Sequence, residues 1–180
     1  MPRCLGVSFL AFFVIALDAP VAAADWPQFR GNARLTGVSV EAPPPTLKLL
    51  WSYELGDMND SSPAIADGVV YAGAMNGTLA AVDLASGKLR WKYSTGGPLG
   101  IGESSPAVAD GAVYVGDLDG VVHGVNAADG KRLWTFKTGS EIKASPIVVN
   151  GLVVIGSYDT HLYALDAKTG ALRWKFQTKG

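Results

Sequence analysis

Residues 61–93 read SSPAIADGVVYAGAMNGTLAAVDLASGKLRWKY. The pattern returns without a gap as SSPAVADGAVYVGDLDGVVHGVNAADGKRLWTF over 104–136 and as ASPIVVNGLVVIGSYDTHLYALDAKTGALRWKF over 144–176. A fixed period outranks any single motif, because a unit too small to bury its own apolar face must stack on its neighbours. Trp91 and Trp134 stand 43 residues apart and Trp134 and Trp174 stand 40 apart, the difference lying between Gly96 and Glu103. Trp51 precedes Trp91 by 40 residues, so Leu47 to Gly56 is expected to be the last strand of an earlier, partial repeat.

Turn residues cut each unit into four strands. In the first, Pro63 to Ala66, Val69 to Ala74, Thr78 to Leu84 and Lys88 to Ser94 are separated by Asp67-Gly68, Asn76-Gly77 and Ser86-Gly87. Glycine supplies the positive φ of a two-residue hairpin and Asn or Asp tolerates it, so consecutive strands are antiparallel neighbours. The turns recur as Asp110-Gly111, Asp119-Gly120 and Asp129-Gly130, then as Asn150-Gly151 and Thr169-Gly170. Asp159-Thr160 lacks the glycine and is expected to be looser.

Tandem four-stranded meanders of roughly 40 residues predict an all-β fold of propeller blades, about three with one spare strand. A sandwich would not place a tryptophan in the fourth strand of every unit, and a helical solenoid needs apolar residues at helical spacing that residues 25–180 lack. The expected units are 25–46 as an N-terminal extension, 47–60 as the spare strand, then blades 61–103, 104–143 and 144–180. A closed ring takes about 4 to 8 blades. The expectation is therefore an incomplete ring from a longer propeller, with edge-to-edge self-association as the alternative.

With 180 residues, a formal charge of -1, 22 glycines and 17% charged residues, the chain suits short strands and tight turns and excludes polyanion binding by bulk charge. No nucleic-acid partner is expected. Residues 1–24 combine Arg3, an apolar run from Leu5 to Leu17 and the small residues Ala22 to Ala24, the order of a secretory signal peptide cleaved before Asp25. The run is shorter than a bilayer core requires, so no transmembrane anchor is expected in the mature chain and its location is periplasmic or extracellular. The single cysteine, Cys4, lies in that leader; the mature protein then has no thiol for disulfides, metal or nucleophilic chemistry.

At these repeats the chain resembles the pyrroloquinoline-quinone-type repeat family, which includes the quinoprotein alcohol dehydrogenases and the non-catalytic BamB-like propellers. Its docking motif, A-x-D-x-x-T-G-K-x-x-W-x-x-x-x-G, is matched by Ala81, Asp83, Gly87, Lys88, Trp91 and Gly96 with Ser86 for Thr. The second copy has Gly130, Lys131, Trp134 and Gly139, with Gly124 and Asn126 in the Ala and Asp columns. The third has Ala164, Asp166, Thr169, Gly170 and Trp174, with Ala171 for Lys. The resemblance implies that each tryptophan packs on the glycine turn of a neighbouring blade, which assigns Trp51, Trp91, Trp134 and Trp174 with Gly87, Gly130, Gly170, Ala81 and Ala164 to blade docking. A flat ring over side-chain-free backbone buries roughly 150 to 250 Å². The stretch from Asp25 to Gly31 looks like the start of the family's propeller domains, where it commonly pairs with C-terminal strands to close the ring; those partners are not expected in this chain.

No nucleophile-and-base set emerges. His123 and His161 fall in different columns and are expected as surface residues of third strands. Asp117-Leu118-Asp119-Gly120 lacks the later acid of a calcium loop. In the family's dehydrogenases, the quinone, with calcium, lies over the channel under a vicinal cysteine pair. No cofactor is expected here; pyrroloquinoline quinone with calcium enters only if the chain is part of a quinoprotein alcohol or sugar dehydrogenase. What remains is a scaffold for a protein or small-ligand partner at one face. Loops joining fourth to first strands and second to third strands should emerge together there, presenting Asp60, Glu103, Glu141, Lys143, Asn76, Asp117, Asp119 and Asp159.

Overall fold

The computed structural model describes residues 25–39, 42 and 44–179; the leader expected over 1–24 lies outside the described residues. Among these there is no helix, and twelve strands form three separate four-stranded antiparallel sheets. Blade 1 is β1 (Ala64–Ala66), β2 (Val69–Gly73), β3 (Thr78–Asp83) and β4 (Leu89–Ser94). Blade 2 is β5 (Ala107–Ala109), β6 (Ala112–Gly116), β7 (Val121–Asn126) and β8 (Arg132–Lys137). Blade 3 is β9 (Ile147–Val149), β10 (Leu152–Ser157), β11 (His161–Asp166) and β12 (Leu172–Gln177). Each sheet is a meander in sequence order, so the fold is an arc of propeller blades rather than a sandwich or a closed barrel.

Local chemistry explains the hairpins. Asp67 and Gly68, Asp110 and Gly111, and Asn150 and Gly151 all have positive φ at both turn positions, the twist that matches right-handed strands. Asp159-Thr160 keeps the turn type of the other two blades with a longer closing bond. Thr160 takes φ +69 and closes the same turn as Gly77 and Gly120, its N–H reaching the Ser157 carbonyl at 3.2 Å against 2.9 and 3.0 Å in the glycine versions. The carboxylate of Asp159 holds the turn by accepting from the His161 N–H at 3.0 Å and the Tyr163 hydroxyl at 2.6 Å.

The core lies between blades. Val113 and Val115 of β6 pack with Tyr71, Leu79 and Trp91 of blade 1, while Ala112 and Tyr114 of the same strand pack with Val153, Ile155 and Trp134. A strand covered on both faces must be apolar at every position, and β6 (AVYVG) is buried throughout. In β10 only alternate residues, Val153 and Ile155, are fully buried, and β12 is exposed along its length.

Two features depart from the sequence expectation. Residues 47–56 are not a strand, because no strand lies beside them among the described residues to complete a ladder. The segment beginning at Asp25, expected to lack its C-terminal partners, pairs with first strands. Trp26 exchanges backbone bonds with Ile65 (2.8 and 2.9 Å), the Pro27 carbonyl accepts from Val108 N–H at 2.7 Å, and the Gln28 Oε1 accepts from Val148 N–H at 3.3 Å. Ile65, Val108 and Val148 occupy one column of the repeat, so three successive residues satisfy the equivalent inner-edge amide of three blades. The strap thereby ties the inner strands together.

Candidate functional site

Blade docking is carried by one arrangement used three times. The Trp51, Trp91 and Trp134 Nε1–H groups donate to the carbonyls of Leu84, Ala127 and Ala167 at 2.8, 2.8 and 2.9 Å. Their rings lie against Gly87, Gly130 and Gly170, where a Cβ would approach within 2.6 to 2.7 Å, and these glycines hold φ of +68 to +72. A bulge in each third-to-fourth strand pairing turns the tryptophan outward, leaving Ala81, Gly124 and Ala164 as its cross-strand partners. In blade 2 glycine stands in the alanine column, and the Trp134 indole lies 2.5 Å from where a Cβ on Gly124 would be. The bulge residues Arg90 and Arg173 pair with Asp83 and Asp166 at 2.7 Å; blade 2 has Leu133 and Asn126 there, so both partners of the ion pair are replaced together. Hydrogen bonds from Arg173 and Thr169 hold the Asp166 carboxyl at about 2. Trp91 and Trp134 are 8% exposed and Trp174 is 43% exposed.

Both sets of predicted contact loops reach one face, where they are stitched to each other. Met75, Ile101, Leu118, Ile142 and Tyr158 N–H groups bond the carbonyls of Met58, Ala74, Gly100, Asp117 and Glu141. Asn76, Asp119 and Asp159 lie beside the preceding segment's glycine, Gly56, Gly97 and Gly139 respectively. Asp119 Oδ2 accepts from Leu99 N–H at 3.1 Å and Asp159 Oδ2 from Gly139 N–H at 2.7 Å. Burial alone would raise the Asp159 carboxyl, but the bonds from Tyr163, Gly139 and His161 outweigh it and lower the pKa. The Tyr163 phenol is pushed up to about 12 by burial and by its bond to Asp159.

Asp117 and His123 require a correction: they are 1% and 2% exposed, so neither is a surface residue and Asp117 presents no contact loop. His123 Nε2 lies 2.8 Å from Asp117 Oδ2 and its Nδ1 lies 2.9 Å from the Tyr93 hydroxyl of blade 1. Asp117 Oδ1 accepts from Val121 N–H at 2.7 Å. With both ring nitrogens and both carboxylate oxygens engaged, burial is compensated. Asp117 and His123 are sealed from solvent, and the Tyr–His–Asp set clamps blade 1 to blade 2. The residue spacing carried no sign of it, because Tyr93 belongs to the preceding repeat. His161 stays near the surface beside Asp159.

Asp60, Glu103 and Lys143 fall in one column of the repeat, and the structure brings all three to the rim of one cup of about 430 Å³. Its lining is completed by Ser62, Ser105 and Ser145 of another column and by Phe29, Leu35 and Ile147. Ser62 N–H donates to Ser105 Oγ at 2.9 Å and Ser105 N–H to Ser145 Oγ at 3.0 Å, so a serine relay joins the three blades at one level. Phe29 follows directly on the strap that laces the inner strands. Lys143 Nζ stands 3.4 Å from Glu103 and 5.5 Å from the centre of the Tyr158 ring. Glu103 first, then Glu141 and Tyr158, raise the Lys143 pKa. A second hollow, about 620 Å³, opens among the strand-connecting turns of blades 2 and 3; its charged groups are Asp110, Lys168 and the Asp166–Arg173 pair.

The cup does not fit a carboxylate-bearing quinone. Its lining sets one ammonium, already shared with Glu103, against two carboxylates, and like charge repels an anionic ligand. Among the described residues no three His, Cys, Asp or Glu side chains converge as a metal-binding group.

The sequence pattern of the family described as outer membrane protein assembly factor BamB matches residues 36–105 and again 96–180, most of the chain. The outer membrane protein assembly factor BamB of Yersinia pestis is 36% identical over 76 residues, covering 36% of this chain and 18% of that protein. The same factor of Salmonella typhimurium is 51% identical over 37 residues, covering 21% and 9%. Quinohemoprotein alcohol dehydrogenase ADHIIG from Pseudomonas putida HK5 superposes with a TM-score of 0.77 at 28% identity, over 87% of this chain and 27% of that one. BamB from Moraxella catarrhalis superposes with a TM-score of 0.62 at 26% identity, over 71% and 39%. The chain thus spans under a fifth of the length of these curated relatives and under two fifths of these structures.

Proposed function

This chain belongs to the repeat family described as outer membrane protein assembly factor BamB, and on that premise we propose that it is an exported, non-catalytic scaffold holding a protein partner at its loop face. The observation that carries this reading is the loop face itself. Loops from all three blades are locked together by backbone bonds, and they present a mixed-charge cup lined by serines, two acids, one lysine and apolar side chains. A rigid platform of loops is suited to recognition rather than turnover. The leader-like order of residues 1–24 supports export, and the assembly factors among its relatives support a protein partner in the cell envelope.

The second reading, part of a quinoprotein alcohol or sugar dehydrogenase, is favoured by the likeness to the quinohemoprotein alcohol dehydrogenase. A photo-crosslinking residue at Glu141, installed in the producing cell, tests the first reading. A discrete adduct with an envelope protein is expected, and a matching residue at Lys168 on the turn-lined hollow should give none. Equal labelling from both positions would sink the scaffold reading. Alcohol-dependent dye reduction by the purified chain with pyrroloquinoline quinone and calcium would establish the second.

Self-association through the open edge is a weaker proposal. The exposed Trp174 of one copy would need a glycine turn on another, and Gly87, on the opposite edge blade, already carries that copy's own Trp51. Head-to-tail docking would first have to displace residues 47–56.

A further inference from the structure

We infer that the cup at the loop face receives a cationic side chain, the ammonium or guanidinium of a basic residue on a partner segment, and that Lys143 competes with it for Glu103. The inference rests on the scaffold reading and names what that face recognises.

Three features of the lining lead to it. The first is the charge pattern of a single column. Blade 3 places Lys143 where blades 1 and 2 place Asp60 and Glu103, and the ammonium of Lys143 is already held at this rim by Glu103. Asp60 has no cation beside it among the described residues. Its neighbour in the same column is another acid. Two residues further along each chain segment, Ser62 N–H meets Ser105 Oγ at 2.9 Å, so the two loops that carry these acids run side by side there. Two carboxylates on the rim of one cup attract a cation to it. The second is the serine relay. Ser105 Oγ and Ser145 Oγ each accept one backbone N–H and keep a second lone pair and a hydroxyl proton for an occupant of the cup. The third is shape. Phe29, Leu35 and Ile147 give an apolar wall, which suits the methylene stem of a lysine or arginine whose charged head lies among carboxylates and hydroxyls. A bare metal ion would leave that wall without a role, and an anionic ligand would meet two carboxylates.

The test uses the purified protein, 15N-labelled, titrated with acetyl-Leu-Lys-Leu-amide and separately with acetyl-Leu-Glu-Leu-amide while backbone amide shifts are followed. The lysine peptide is expected to shift Ser62, Ser105 and Ser145 saturably, and the glutamate peptide to leave them unmoved. Asp60→Asn combined with Glu103→Gln should weaken the lysine peptide at least tenfold. Lys143→Gln should tighten it several-fold, because Glu103 is released. That gain is what a merely structural lysine would not produce, and it keeps the test decisive if the double variant fails to fold. Equal binding of both peptides, weaker binding in Lys143→Gln, or shifts confined to another face each overturn the inference. A crosslinked partner at Glu141 with no peptide binding would leave the scaffold reading standing without this inference. Peptide binding with no such partner would do the reverse.

Discussion

The indole of Trp51 lies over Gly87, with a Cβ on that glycine falling 2.6 Å from the ring, although residues 47–56 form no strand. Docking therefore precedes sheet formation in importance: the ring and its bond to the Leu84 carbonyl hold the segment without a ladder. Gly87→Ala should destabilise the protein by roughly 3 kcal/mol, the sum of overpacking and a left-handed alanine. Gly68, at φ +69, has nothing within 4 Å of an added Cβ. Gly68→Ala should thus cost only the backbone part, about 1 to 2 kcal/mol. Chemical denaturation of both variants checks this, and equal losses would remove the ring contact as the cause.

Trp134 and Trp174 occupy the same repeat column in opposite surroundings, 8% against 43% exposed. Trp134→Ala should cost about 3 to 5 kcal/mol by emptying the space between blades 2 and 3, with the Ala167 carbonyl left to the Tyr114 hydroxyl at 3.0 Å. Trp174→Ala should change stability by less than about 1 kcal/mol. Thermal unfolding of the two variants measures the contrast.

Removing His123 strips Asp117 and Tyr93 of a shared buried partner. His123→Ala is expected to cost about 3 kcal/mol or more, since it leaves a buried carboxylate oxygen uncompensated. Tyr93→Phe, which leaves the His–Asp pair intact, should cost nearer 1 kcal/mol. Urea midpoints for both would show whether the clamp acts as a unit.

Thr160 holds a left-handed backbone that its counterparts Gly77 and Gly120 adopt without strain. Thr160→Gly should stabilise the protein by about 1 kcal/mol. A lower melting temperature would mean that the threonine side chain contributes more than its backbone costs.

Tyr163 and Asp159 predict the response to alkali. The folded Tyr163 pKa is raised to about 12 from 10.0, first by burial and then by Asp159. A raised folded value means the neutral phenol is favoured. Its contribution is complete below pH 10 and is lost as the pH climbs from 10 through about 12. Absorbance titration should show Tyr114, raised to about 12 by burial, and Tyr163 as late tyrosinates, and Asp159→Asn should bring only the Tyr163 step earlier.

The fold was legible in the chain because its determinants are local. Asp67-Gly68, Asn76-Gly77 and their copies dictate hairpins within four residues, and alternating apolar positions dictate which strand faces are buried. The tryptophan period announced that identical units stack. The candidate site was legible only in part. Asp60, Glu103 and Lys143 were recognisable as loop residues, but that they share a cup with Phe29 and Leu35 was not, since the strap comes from outside the repeats.

Sequence alone determined the period, the four strands per unit and the absence of a thiol after residue 24, because each follows from residue identity or neighbours in the chain. Tertiary structure decided which polar residues are free. Asp117 and Asp119 stand two residues apart in one turn, yet one is sealed against His123 while the other lies beside Gly97 and takes the Leu99 N–H. Asp117 is met by His123 of its own blade and Asp119 by the segment before that blade, so burial depends on what packs across space rather than on what is adjacent along the backbone.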